Sequence, residues 1–175
     1  MIKMIANFIL FQMAWLAAII GGANNWPLLG SIPAIVVVAI HLWVNRDQVV
    51  REALLILGTT LLGVIVETGF VFLGALHYSR TNTDAVLPPI WIVALWFAFG
   101  TLPHGSLVWL SRRLWLQLFL GAIFGPLSYF GGVRLGAATM PQPITYSLAI
   151  IGLGWAIALA LIFRMADRRS KQKDH

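Results

Sequence analysis

Cysteine is missing from all 175 residues, and only 10% of the chain is Asp, Glu, Lys or Arg. The first absence removes disulfides, thiolate nucleophiles and sulfur-ligated metals. The second removes the water-soluble globule, because ordinary soluble domains carry about 25% charged residues. No Gly-Lys-Ser/Thr phosphate loop, Gly-x-Ser-x-Gly elbow, His-Glu-x-x-His pair or paired-aspartate lipid-transferase pattern occurs either. What the chain has is apolar length: 59% of it is hydrophobic, with a mean hydropathy of +0.85. A transmembrane helix needs about 20 apolar residues, so six of them would take about 120. The remainder suffices for turns and a tail, not for a domain outside the membrane.

The hydrophobic runs predict an all-α, polytopic membrane bundle of six transmembrane helices, at 4–21, 28–44, 53–76, 88–110, 114–132 and 144–163. The first run, from Ile5 to Gly21, exceeds a signal-peptide core of roughly 7–15 residues, so it reads as a retained helix. Pro88 and Pro89 sit where a helix can start, since proline costs little in a first turn. Pro103 falls inside the fourth run and predicts a loosened helix around 100–106. Residues 164–175 form a polar, basic tail that is expected to be disordered.

Orientation follows from the cations. Lys3, Arg46, Arg51, Arg112, Arg113 and the five cations of the tail fall on one side; Arg80 and Arg134 fall on the other. Ten against two places both termini in the cytoplasm. Trp26, Tyr78, Trp91 and Tyr146 near the outer ends, and Trp43, Trp109 and Trp115 near the inner ends, form the matching aromatic belts. The net charge of +6 thus reports topology and anionic-lipid contact at the tail, and not nucleic-acid binding, for which there is no folded basic surface. An inverted repeat between helices 1–3 and 4–6, the usual sign of an alternating-access transporter, is not evident.

Glu67 stands out. Counted from Ala53, it lies roughly 20 Å into a hydrocarbon core about 30 Å thick. An ionisable group at that depth is a functional candidate by default, and the small, polar stripe Thr60, Gly63, Glu67, Gly74 turns it toward the bundle. The bland alternative is a neutral carboxylic acid bonding a neighbouring helix for packing alone. Arg134 at the exit of the fifth helix is the partner to test, unless it snorkels outward to phosphates. Ser128 and Tyr129, about a turn deeper, could bond Glu67 directly. A second polar layer in the inner half holds His104, His41, Gln12 and Gln117. Two histidines with Asp47 and Glu52 set out at the rim make no metal site, and hydrogen-bonded interhelical histidines are expected. The stripe Gly121, Gly125, Ser128, Gly132 allows close helix packing.

The segment Gly125-Pro126-Leu127-Ser128-Tyr129-Phe130-Gly131-Gly132-Val133-Arg134-Leu135-Gly136-Ala137 resembles the signature of an uncharacterised bacterial inner-membrane family, the domain of unknown function numbered 2878. The run from Trp96 to Leu107, Phe11-Gln12 with Trp15, and the acidic Glu67 fit the same resemblance. It implies a small multi-span protein of the bacterial inner membrane with no assigned reaction, and a loose association with fatty-acid-modifying enzymes.

Two functions remain open. The leading one is a non-enzymatic module that binds a small or lipidic ligand, or a partner protein, between its helices, with Glu67, Arg134 and Tyr129 holding the ligand's polar part. The other is an integral-membrane enzyme of lipid modification using Glu67 or His104 as general acid or base, with a small proton-coupled transporter third. No catalytic residue is assigned, and no cofactor or metal is expected.

Overall fold

The computed structural model describes residues 1–79, 87–141 and 143–171. Five helices are long and apolar enough to cross a membrane: α1 (Ile2–Ala23), α2 (Pro27–Val44), α3 (Val49–Phe72), α5 (Leu114–Arg134) and α6 (Ile144–Lys171). A sixth, α4 (Ile90–Phe99), has ten residues. Lipid-facing and core-facing sides follow the inside-out logic of a membrane protein. Along α3, Leu61, Ile65 and Phe72 are exposed while Gly63, Glu67 and Phe70 are buried.

The chain runs up and down between two ends, here called the His41 end and the Glu67 end. The α1–α2 hairpin closes at the Glu67 end through glycine. A Cβ on Gly21 would stand 2.7 Å from the Gly30 backbone, and one on Gly30 would stand 2.8 Å from the Ala17 carbonyl. Backbones can approach that closely only without side chains between them. Packing of α5 on α6 has the same basis, with a Gly121 Cβ placed 2.5 Å from the Trp155 carbonyl oxygen.

Three expectations need correction. The third helix begins at Val49 and not at 53, because a 3-10 turn at Arg46–Gln48 leads straight into it. Arg51 and Glu52 therefore lie within its first turn, where His41 of α2 and His104 of the turns after α4 bond Glu52, and Gln48 and His104 bond Arg51. The fourth helix is shorter than the expected 88–110. Pro103 has no N–H and crowds the preceding turn, so the helix stops at Phe99 instead of bending. Residues 100–113 descend to the His41 end as a stack of turns with a 3-10 segment at Val108–Leu110. Non-helical backbone at this depth is tolerated only where protein or a cavity covers it. The last helix continues through Arg164 to Lys171, past the expected end at 163. Arg80 and Lys173, counted above for orientation, lie outside the described residues.

Helices α3 and α5 end alike. Gly74 (φ 65°) and Gly136 (φ 82°) take the left-handed conformation that glycine adopts freely. In each case two amides turn back to the last carbonyls: Gly74 to Val71 and Ala75 to Phe70, Gly136 to Val133 and Ala137 to Gly132. This is the Schellman closure. Each end feeds a two-residue strand, β1 (His77–Tyr78) and β2 (Ala138–Thr139), paired antiparallel with Tyr78 opposite Ala138. That ribbon, unexpected from the sequence, folds back over the bundle and buries Tyr78.

The α5–α6 contact yields a test. Gly121→Ala is expected to lower stability in detergent by about 1–3 kcal/mol, read from the thermal midpoint. An unchanged midpoint would mean that α5 and α6 separate without penalty.

Candidate functional site

A cavity of about 710 Å³ runs along the bundle, bounded mainly by α1, α4 and α5. Its walls are mostly apolar and rich in rings, and Glu67 is the one Asp, Glu, Lys, Arg or His among the described residues that line it. Near the Glu67 end the walls meet, since Trp15 and Ile19 of α1 lie against Gly131 and Gly132 of α5. Lower down, Phe8, Phe124 and Leu127 line the cavity and are also exposed. The space is therefore a groove, closed at its polar end and open sideways toward the bilayer.

Glu67 itself has no exposed surface. Its Oε1 accepts the Trp96 indole N–H at 2.7 Å and the Tyr129 hydroxyl, and its Oε2 accepts the Tyr78 hydroxyl. Three donors thus come from three segments, α4, α5 and β1. These bonds offset the cost of burying a polar side chain at this depth. Burial first, and then the neighbouring Glu67, push the Tyr78 phenol well above its ordinary value, which keeps it a donor. Rings enclose the group. Trp96 stacks on Trp155 with centroids 4.7 Å apart, Phe70 meets Tyr129 edge-on at 5.9 Å, and Tyr78 meets Trp91 at 5.6 Å.

Glycine again makes room. The Trp96 indole lies directly on Gly63, and the Trp155 indole lies on Gly125, where a Cβ would approach to 2.5 Å. Gly63 and Gly125 share the spacing of Glu67 and Tyr129, 62 positions. At that same spacing Gly69-Phe-Val-Phe-Leu-Gly-Ala75 and Gly131-Gly-Val-Arg-Leu-Gly-Ala137 agree at five positions of seven. Similar helix ends and tryptophan beds on glycine thus recur in α3–α4 and α5–α6, with the antiparallel ribbon between them.

The expected Glu67–Arg134 pair does not form. Arg134 is exposed, and its guanidinium lies 5.1 Å over the Phe130 ring. Tyr129 meets Glu67 directly, while Ser128 lines the groove and donates to the Gly125 carbonyl at 2.8 Å. In the second layer, Gln12 is an exposed part of the groove wall. Gln117 is buried and donates to the Leu110 carbonyl at 2.8 Å, serving the broken segment after α4.

The two histidines meet, through a residue the sequence reading left at the rim. Glu52 is buried, and its two oxygens lie 2.9 Å from His41 Nε2 and 2.9 Å from His104 Nδ1. On the far side of His104, Nε2 faces the Arg51 guanidinium at 2.9 Å. Arginine only donates, so His104 accepts there, and its Nδ1–H donates to Glu52. Arg51 also donates to Gln48 at 2.7 Å. Close by, Asn7 of α1 bonds Thr101 at 3.2 Å and accepts the Ser106 amide at 2.9 Å. These groups pin the turns after α4 to α1, α2 and α3. Among the described residues, no three His, Asp or Glu side chains are disposed to hold a metal ion.

A multi-span helical membrane protein with a ring-lined groove and a buried carboxylate at its head is the class that emerges. The chain belongs to the family described as protein of unknown function DUF2878, whose profile matches residues 4–161. It is also 30% identical over 87 residues to protoheme IX farnesyltransferase of Pyrobaculum neutrophilum, a match covering 48% of this chain and 30% of that protein. No solved structure matches.

The histidine cluster gives a stability prediction. Glu52→Ala is expected to cost about 2–3 kcal/mol, because it strands two buried donors and leaves Arg51 without a nearby anion. Gln12→Ala, on the exposed wall, is expected to stay within about 0.5 kcal/mol. Equal losses in thermal or denaturant unfolding would show that the cluster does not hold the turns.

Proposed function

We propose that this protein is a non-enzymatic membrane module that binds an elongated, mostly apolar ligand in the groove between α1, α4 and α5. Glu67, Tyr129 and Ser128 hold the ligand's polar end. The observation that carries this reading is the groove itself: its volume lies in the range of ligand sites, roughly 300–1,000 Å³, and its walls are apolar except at Gln12 and around one buried carboxyl group. A side opening onto lipid suits a ligand that arrives through the bilayer. Arg134 stands above this head at the rim, where it can meet phosphates.

The cation asymmetry supports placing the His41 end at the cytoplasmic face of a bacterial inner membrane, with the basic tail against anionic lipid. A membrane-protein partner seated on the groove is the variant of this reading without a small ligand.

An enzyme of lipid modification is the second reading, favoured by the partial likeness to a farnesyltransferase. Against it stands the lining: it lacks both the paired aspartates and any cation that could hold a diphosphate.

Native mass spectrometry of the protein released from lipid discs tests the first reading. Wild type should carry an adduct of defined mass that Glu67→Gln loses and Arg134→Ala keeps. Identical lipid-only spectra from equally stable wild type and Glu67→Gln would reduce Glu67 to a packing residue.

A further inference from the structure

We propose that Trp15 is the gate of this site: its indole closes the Glu67 head against the bilayer and swings off Gly131 to admit a ligand's polar end. This rests on the ligand-binding reading above and adds how the site is entered.

The need for a gate follows from burial. Glu67 has no exposed surface, although the groove beneath it is open at Phe8, Phe124 and Leu127. A group that reaches Glu67 must therefore displace something that covers it. Tyr78, Trp96 and Tyr129 are bonded to Glu67 themselves, so moving any of them strands a buried polar atom. Between α1 and α5 the cover is different: Trp15 over Gly131 and Ile19 over Gly132. Ile19 is buried, whereas Trp15 is half-buried and lies at the surface of the seam.

Trp15 is also seated more loosely than the other rings of the head. Four tryptophans here lie on a glycine. A Cβ on Gly22 would stand 2.5 Å from Trp91, one on Gly125 would stand 2.5 Å from Trp155, and the Trp96 indole leaves no room for one on Gly63. Those three rings are sunk into their helices. A Cβ on Gly131 would stand 3.5 Å from Trp15, which is ordinary contact. Trp91 also meets Tyr78, and Trp96 stacks on Trp155. Among the described residues Trp15 has no stacked ring and no hydrogen-bond partner. Its benzo edge rests on a smooth stretch of glycine backbone, so changing its rotamer breaks only weak dispersion contacts.

The test is the rate at which dicyclohexylcarbodiimide labels Glu67 in lipid nanodiscs, read by peptide mass spectrometry. This apolar reagent adds whole to a carboxylic acid. Wild type should label slowly. Trp15→Ala should label about tenfold faster or more, because an open state populated at roughly 0.1–10% becomes the permanent one. Trp15→Phe lacks the benzo atoms over Gly131, and Gly131→Leu fills the seat from the other side; each should label several-fold faster. Trp115→Ala, an exposed ring outside the groove, should keep the wild-type rate. Glu52, about 22 Å away along α3, reports loosening of the whole bundle, and its labelling should not change. Wild-type rates at Glu67 in all three gate variants, or no labelling in any, overturn the gate. So does a parallel rise at Glu52 in all three. The readout needs no ligand, so a failed gate leaves the adduct test of the groove intact, and a missing adduct leaves the gate standing.

Discussion

A carboxylate without exposed surface, set among rings, is the constraint around which the Glu67 half of the bundle is arranged. Isolated, such a group would be prohibitively costly, and it persists because donors converge on both of its oxygens. Those donors are far apart in the chain. Tyr78 lies 11 positions from Glu67, Trp96 lies 29 and Tyr129 lies 62. The bonds can all form only when α3, α4, α5 and the β1–β2 ribbon are assembled together. Glu67 thus ties the tertiary arrangement of four elements to one site.

Similar features of α3–α4 and α5–α6 meet where these groups converge. Trp96 and Trp155, each lodged on a glycine of the preceding helix, stack at the centre. Glu67 faces its counterpart Tyr129. Identical acids at both positions would bring two carboxylates together and raise the cost of ionising either. An acid opposite a phenol gives a hydrogen bond instead. The halves then diverge where Pro103 ends α4 early, whereas α6 continues as a full span. In the second half α6 packs along α5, and across from them the shortened α4 leaves the space that becomes the groove.

The sequence makes parts of this plain and hides others for physical reasons. Glu67 is legible because it is the one acid within a long apolar run, and the helical stripe around it gives its direction. Tyr129 is legible because it lies at a comparable height. Tyr78 is not, because it sits beyond the helix end and returns through a ribbon whose pairing partner is some sixty residues away. Trp96 reads as one of many membrane aromatics until Gly63 is seen to hold it. Glu52 misleads most: hydropathy sets any charge outside the span, yet a charge inside is stable once partners at 2.9 Å surround it. That error also moved the start of α3 and separated the two histidines from the group that joins them.

Both acids of α3 face inward, and their separation argues that they serve different ends. Glu52 and Glu67 are fifteen residues apart on one helix, about 22 Å along its axis. Between them the inward face presents Ile56, Thr59 and Gly63, with no ionisable group to pass a proton along. The Glu52 cluster gathers charged and neutral partners and secures the turns where α4 has given out. The Glu67 cluster gathers only neutral donors at the head of an open groove. A bundle needing mere cohesion at that height could have used leucine. An acid is retained there at lower cost if something that enters the groove interacts with the groups gathered around it.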